Sequence, residues 1–456
     1  MKLSSIVAAT CAGTLIEWYD FYVYLFLQST LSTQFYTGTP SAATITWLAT
    51  YAIGFLVRPV GAFLFGYLGD VYGRKTIFMA TLLLMGLSTT LCGCLPTISM
   101  VGSSAGVGLI VLRILQGLAL GGEYAGAVAY IVEHAPSGQR GRYSAILQVM
   151  ATLGLSLSLA ACLIFRVALG TEKFTSYGWR FPFLISFVLI AGSLVARYKL
   201  LESPIYAEAK GKGQTATSLV QYGKLLSKPS NWLQIAVAIF GTAMGQGVLA
   251  QVSQAYPFSF IIGLNVPLLD AYKILLVPCL LACPFFALFA VLSDKYGRKP
   301  FMVAGVTLGA ILTYPCYLGM YNYSPKFPDS YSPAMISFCI WILVMCAAIA
   351  YGPVASFLAE LFPTNLRFLG TAAAYHLGFG VLGGIQGVVT ASISSATGSV
   401  FGGLFYPIGV SAVCAVVGFF FLPETFERDL TTIGDEDLKV AINAEFIVND
   451  DQAKEA

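Results

Sequence analysis

What this sequence has least of is charge. Asp, Glu, Lys and Arg are 10% of its 456 residues, apolar types are 57%, and mean hydropathy is +0.77, which excludes an ordinary soluble globular domain. Histidine is confined to His134 and His376, and the ten cysteines lie in apolar runs without a CxxC spacing. A metal centre and a disulfide framework are therefore not expected, nor is a cofactor or a nucleic-acid partner. No nucleophile and base pair points to an enzyme. The formal charge of +3 also hides a split: residues 1–422 carry 22 Lys and Arg against 12 acids, while the tail from Pro423 carries 3 against 10. Such a tail reads as a solvated extension.

Long apolar runs are present instead. Twelve can be drawn, at 5–31, 42–68, 76–95, 107–133, 144–169, 180–201, 230–262, 268–292, 300–321, 333–360, 369–397 and 399–422. Roughly 20 such residues span a hydrocarbon core as a helix, and helices keep every backbone group bonded there. The expectation is an all-α membrane protein with twelve transmembrane helices. Glu17 and Asp20 interrupt the N-terminal run and no small-residue cleavage pattern follows, so it reads as an uncleaved first helix. The residues Ala8-Ala9-Thr10 before Cys11 argue against a lipid anchor.

The chain reads as one half written twice. Leu68-Gly69-Asp70-Val71-Tyr72-Gly73-Arg74-Lys75 returns as Leu292-Ser293-Asp294-Lys295-Tyr296-Gly297-Arg298-Lys299, 224 residues on. Glu133, Pro136 and Arg140 return as Glu360, Pro363 and Arg367 at an offset of 227, and Glu202 and Glu424 stand 222 apart. A nearly constant offset marks an internal repeat. The helices thus divide into two pseudo-symmetric six-helix bundles, 1–201 and 230–422, with a linker at 202–229 and an acidic tail at 423–456. Loops at 69–75, 134–143, 202–229, 293–299 and 361–368 hold almost all the loop Lys and Arg, against Lys173, Arg180, Lys273 and Lys326 on the other side. The positive-inside rule puts both termini in the cytoplasm, with the chain in the plasma (inner) membrane.

Six ionisable groups remain inside the spans: Glu17, Asp20, Arg58, Arg113, Glu123 and Arg166, all in the first half. At about 3 kcal/mol each, leaving them all unpaired would cost on the order of 18 kcal/mol, more than a typical folding stability. They must pair, take protons or face water. Helical spacing sets Thr10, Gly13, Glu17, Asp20, Tyr24 and Gln28 on one stripe of the first helix. Arg113, Gln116, Glu123 and Tyr124 share a face of the fourth, among Gly117, Gly121, Gly122 and Gly126, which admit another helix closely. Counted along the rise of each helix, Asp20 and Arg113 reach compatible heights in the outer half, with Glu17, Arg58 and Glu123 nearer the midplane.

Ion pairs that only fix helix register are one reading, and it suits Arg166 near an outer helix end. For the others function is favoured, because apolar pairs would join helices at less cost. A carboxyl that gains and loses an arginine partner can take up and release a proton. Asp20 with Arg113, then Glu123 and Glu17, are the proton-coupling candidates. Arg58 offers a bidentate fork to a solute carboxylate. Three acids and three arginines cancel, so net field alone does not fix an anionic solute.

The second half offers neutral polar groups: Gln246, Gln251 and Gln254 in one sector of its first helix, Tyr256 beyond, and Tyr351, Tyr375, His376 and Gln386. With Arg58, Tyr24 and Gln116, the three glutamines and Tyr351 and Tyr375 are the solute-binding candidates, interhelical hydrogen bonds being the plainer alternative. His376 reads as a packed histidine, and the cluster from Gly378 to Gly387 as close packing or a bend. In the repeated loop, Asp70 is placed to cap or face a helix N-terminus. Asp70, Arg74, Glu133, Arg140, Asp294, Arg298, Glu360 and Arg367 form a candidate cytoplasmic gate of ion pairs; simple topology signalling is the alternative.

The duplicated Gly69-Asp70-Val71-Tyr72-Gly73-Arg74-Lys75 loop among twelve spans resembles the signature of the major facilitator superfamily. Glu17-Trp18-Tyr19-Asp20-Phe21, Arg58-Pro59-Val60-Gly61, Gly121-Gly122-Glu123, Trp179-Arg180-Phe181-Pro182-Phe183 and Ala359-Glu360-Leu361-Phe362-Pro363-Thr364 resemble its metabolite:proton symporter family, over residues 5–425. That resemblance implies small organic acids such as oxoglutarate, citrate and shikimate, or zwitterions such as proline and betaine. Sugar porters of the same superfamily set an acid of helix 1 against an arginine of helix 4 for proton coupling, positions that Asp20 and Arg113 match. Glu202-Ser203-Pro204 and Pro423-Glu424-Thr425 also resemble sugar porters, though Leu201 stands where their pattern usually has Pro. The expected function is proton-coupled symport of a small polar metabolite, foremost an organic acid, by alternating access across the bilayer. A zwitterion or sugar symporter, a passive facilitator and a transporter-like sensor are the alternatives.

Overall fold

The computed structural model describes residues 3–72, 74–198, 223, 227–363, 366–426, 428 and 430, without the side chains of 3–12, 69–71, 74, 75 and 195–198. The linker expected at 202–229 therefore lies almost wholly outside the described residues, as does the tail beyond Leu430. Twelve helical spans run in chain order, numbered here α1 to α12. The first half holds α1 (Leu3–Phe26), α2 (Pro40–Leu68), α3 (Thr76–Cys94), α4 (Ser104–His134), α5 (Arg140–Lys173) and α6 (Arg180–Tyr198). The second holds α7 (Pro229–Gly263), α8 (Leu268–Tyr296), α9 (Lys299–Asn322), α10 (Pro333–Leu361), α11 (Arg367–Thr397) and α12 (Phe405–Phe421). No strand occurs among the described residues. Large apolar side chains such as Phe405, Val188 and Val167 stand 73%, 70% and 64% exposed on the outside, as expected of an integral membrane protein whose solvent there is lipid.

The repeat in sequence is a repeat in packing. α1 packs on α5 and α6, α2 on α4, and α3 on α4 and α6; α7 likewise packs on α11 and α12, α8 on α10, and α9 on α10 and α12. Between halves, α5 lies along α8 and α2 along α11, the two contacts that a two-fold axis would exchange. The glycines of α4 serve close packing as expected. A side chain at Gly121 would overlap the Arg58 carbonyl of α2, and one at Gly61 the Leu118 carbonyl of α4. The glycines of α11 do the same against α7 and α2, Gly383 meeting the backbone of Gly247 and Gly384 the ring of Phe55.

Several spans drawn as continuous are broken. α2 stops at Leu56 and restarts at Arg58; Pro59 lacks an amide hydrogen and disfavours helical backbone just before it. α4 breaks across Gly122 and Glu123, and α10 across Gly352 and Pro353. π-helical turns interrupt α7 at Ile239–Ala243 and Gln251–Ala255 and α11 at His376–Gly383. α5 begins at Arg140, inside the stretch drawn as a loop, because its first amides find acceptors in the other half. In α8, Pro278 cannot bond the Ile274 carbonyl, which instead accepts from Ser337 Oγ of α10 at 3.1 Å.

Valine in place of Gly121 should force α2 and α4 apart. We expect Gly121→Val to lower the melting temperature of the detergent-solubilised protein, by about 1–3 kcal/mol of stability. Gly192→Ala, with open space around its Cβ, should leave it unchanged.

Candidate functional site

The break in α2 turns Arg58 inward between the halves. Its guanidinium lies 3.9 Å from the Phe55 ring centroid, 4.4 Å from Phe21 and 5.6 Å from Trp18, so its flat faces are covered. Its Nε and Nη2 edge donates to no acceptor among the described residues although the residue is 1% exposed. The break in α4 brings Glu123 to the same place. Together with Thr14, Glu17 and Trp18 of α1, Tyr124 of α4, and Tyr375 and His376 of α11, these residues line a cavity between the halves. About 10 Å³ of it admits the centre of a water molecule, the space of roughly one water. Tyr375 stacks on Tyr124 at 3.6 Å and shares a 3.0 Å hydroxyl contact with Tyr351.

Of the expected site residues, Glu17, Arg58, Glu123 and Tyr375 thus converge, with Tyr351 directly behind. Gln246 and Gln251 are buried in α7, the latter opening a π turn that also holds Gln254. Both amide atoms of Gln246 and Nε2 of Gln251 have no protein partner. Two candidates are placed elsewhere. Tyr24 stacks on Trp47 at 4.0 Å and donates to its carbonyl, while Gln116 bridges Arg113 and Thr89 at 2.7 and 2.8 Å. Neither lines the cavity.

The expected Asp20–Arg113 ion pair is not formed. Asp20 is fully buried and accepts from Ser186 Oγ of α6, and its Oδ2 has no partner. Arg113 donates to Gln116 and to the Phe21 carbonyl and lies 4.2 Å from the Phe21 ring and 4.5 Å from Tyr24. The physical reason is angular. Three residues of helix turn Asp20 about 60° away from Glu17, so the single stripe splits between the inter-half cavity and α6. Arg166 is half-buried, its guanidinium 5.5 Å from the Phe174 ring.

At the basic face, the expected ion pairs join the halves. Glu133 of α4 meets Arg367 of α11 at 2.9 Å, and Arg140 of α5 meets Glu360 of α10 at 3.7 Å. Glu360 also takes Arg298 at 3.0 Å, and Arg298 takes Asp294 at 2.7 Å. Asp294 then accepts the amides of Gly141 and Arg142, both at 2.7 Å. A carboxylate at a helix N-terminus is favoured by those free amides and by the helix dipole. The role foreseen for Asp70 is thus filled by its copy; the side chains of Asp70 and Arg74 lie outside the described residues.

Sequence reasoning missed the segment after α12. Glu424 accepts the amides of Arg298 and Lys299 at 2.9 and 3.1 Å, and Thr425 donates to Glu360 at 2.9 Å. Beyond it, the Arg428 carbonyl accepts from Arg140 and the Leu430 carbonyl from Arg367. The recurrence of Glu202 as Glu424 was the available signal.

The sequence profile of the Major Facilitator Superfamily matches residues 10–387. Similar curated proteins of Escherichia coli are the inner membrane metabolite transport protein YhjE (32% identical, covering 82% of this chain and 84% of that one), a shikimate transporter (29%, 84% and 86%) and a proline/betaine transporter (27%, 94% and 85%). Among solved structures, the xylose transporter XylE of E. coli in a partially occluded inward-open conformation superposes with a TM-score of 0.72 at 21% identity, over 93% of this chain and 98% of that one, a likeness of fold.

Removing Glu360 leaves Arg298 buried with Asp294 as its one remaining acid. In a background lacking the ten native cysteines, Glu360→Gln should speed maleimide labelling of a Ser144→Cys reporter, one turn above Arg140, by about tenfold or more, since breaking a buried pair costs about 3–5 kcal/mol. Unchanged labelling would show that the network does not hold this face shut.

Proposed function

The chain belongs to the major facilitator superfamily, and we propose that within it the protein is a proton-coupled symporter of a small organic acid across the plasma membrane. One observation carries the coupling: Asp20 and Arg113 are both fully buried, and each stands without an ion-pair partner, held by Ser186 and Gln116 respectively. A lone buried carboxylate costs several kcal/mol. A proton removes that cost, and so does Arg113. Exchange between the two as helices shift takes up and releases a proton. Glu17 and Glu123, in the inter-half cavity, are the second proton-carrying candidates.

The free edge of Arg58 supports an acid as solute, because a guanidinium fork matches a carboxylate. Gln246, Gln251 and the paired Tyr351 and Tyr375 complete the proposed solute site from the second half. The shikimate transporter among the relatives supports the same class, and the proline/betaine transporter keeps a second reading. Glu17 and Glu123 beside Arg58 would suit a solute that carries a cationic group as well.

The excess of loop Lys and Arg supports placing the basic face, with both termini, in the cytoplasm. The network of Glu133, Arg140, Asp294, Arg298, Glu360 and Arg367 then acts as the cytoplasmic gate, with Asp70 and Arg74 as its counterparts in the first half. At the opposite end, Ser259 of α7 donates to Gln28 at 2.6 Å and Tyr272 of α8 to the Phe26 carbonyl at 2.9 Å. Contacts thus join the halves at both ends, and transport requires them to open in turn around the central cavity.

Proteoliposomes carrying wild type or Asp20→Asn decide the matter, with uptake of carboxylates, zwitterions and sugars followed with and without an inward proton gradient. We expect the gradient to drive carboxylate accumulation by wild type, and Asp20→Asn to lose accumulation while retaining counterflow exchange. A wild type that only equilibrates its solute is a facilitator. An Asp20→Asn variant that still accumulates it moves coupling to another acid.

A further inference from the structure

We propose that His376 completes the anion site, so that Arg58 from the first half and His376 from the second clamp one carboxylate between them. The inference rests on the organic-acid reading above and adds a residue and a geometry to it. His376 opens the π turn of α11, is 1% exposed and faces the same cavity as Arg58. Among the described residues neither ring nitrogen reaches a well-formed hydrogen bond, and the one acceptor close to the ring is the Gly121 carbonyl. A neutral imidazole always has one N–H to give, and burial without a partner is costly for it.

Gly380 shows that the two side chains converge. A Cβ there would lie 3.8 Å from the Cβ of His376, 4.0 Å from Cδ of Arg58 and 3.6 Å from the Phe55 carbonyl. The stems therefore meet across the interface at Gly380, the one of that turn's three glycines whose added Cβ would touch both. With the faces of the Arg58 guanidinium covered by Phe55 and Phe21, its idle edge is the part a carboxylate can approach, and His376 adds a further donor. π turns recur at functional sites because they shift side chains off the regular helical stripe. Here the shift belongs to the helix that packs on α2.

The clamp has a consequence for coupling. Glu17 and Glu123 also line the cavity, so the proposed clamp sets its anion beside two acidic residues. The anion in turn ties the halves together, since each contributes a donor to it. Solute binding and closure become one event.

The test uses full-length protein in proteoliposomes and initial uptake rates of shikimate, oxoglutarate and citrate. His376→Phe should raise KM for the transported carboxylate about tenfold or more, the loss of a hydrogen bond to a charged group, with kcat changed far less. His376→Gln, which keeps an N–H donor, should recover most of that loss. Gly380→Ala meets only ordinary contact distances and favours helix, so it should fold; by filling the cradle it should raise KM similarly. Wild-type KM in both His376→Phe and Gly380→Ala would overturn the clamp. A purely structural His376 would instead show as lower yield and kcat in His376→Phe with Gly380→Ala at the wild-type KM. Failure of the underlying reading is visible in the wild type alone: carriage of a carboxylate without accumulation removes proton coupling and leaves the clamp standing, whereas carriage of none of the three acids removes both.

Discussion

Asp294 sits where the two halves meet, and the basic face is built to hold its carboxylate in place. The first amides of α5 donate to an acceptor that belongs to the opposite half, so this helix starts where it does only while the halves are together. Gly297, at a φ of +94° that other residues rarely adopt, reverses the chain so that Arg298 returns onto Asp294. Glu360 holds Arg298 along its Nε and Nη2 edge, and Glu424 holds the amides of Arg298 and Lys299. Each of these contacts is charge-assisted, worth about 1.5–3 kcal/mol net. They can nevertheless open reversibly, because at the membrane surface water can take over the freed amides and charges.

Deeper in, no water offers that substitution, and the protein supplies stand-ins of its own. Arg58 and Arg113 rest on aromatic faces, and Arg113 also on a glutamine. A cation on an aromatic face is held by about 0.5–2 kcal/mol, less than a buried ion pair, so either arginine can be released to a better partner at modest cost. The first half concentrates these charges, while the second presents amides, phenols and an imidazole. On the proposed reading, the acids that carry protons stand in the first half, while the solute site is shared across the interface, Arg58 from one half and amides and phenols from the other.

The twelve spans were legible because a hydrocarbon core demands about 20 apolar residues per crossing. The halves were legible because tight loops tolerate few sequences and this chain repeats one. The breaks in α2, α4 and α10 were not, since interrupting a helix leaves hydropathy unchanged; Pro59, Gly122 and Pro353 were the only marks. Asp20 and Arg113, matched by angle and height, form no ion pair in this structure, because a stripe defined to within 60° faces two different neighbours once helices cross at close range. α5 starts earlier than drawn because its cap comes from a residue 152 or more positions away. The π turn that begins at His376 was not legible either, because it is invisible to a 3.6-residue period.

Closure at both ends around so small a cavity has an energetic meaning. Arg58, His376, Gln246 and Gln251 hold polar atoms without protein partners in the closed interior, and each such group costs about 1–3 kcal/mol. An empty, fully closed molecule is therefore disfavoured relative to either opened form, in which water reaches these atoms. A solute that satisfies them lowers the same state selectively, since in the opened forms it merely replaces water. The unpaired atoms thus act as a barrier that a correctly loaded carrier passes more easily than a partly loaded one. On the proposed reading, Glu17 and Glu123 in the same space extend the argument to protons. On that reading, the state loaded with both solute and proton is the one most relieved, the condition under which one gradient can drive the other.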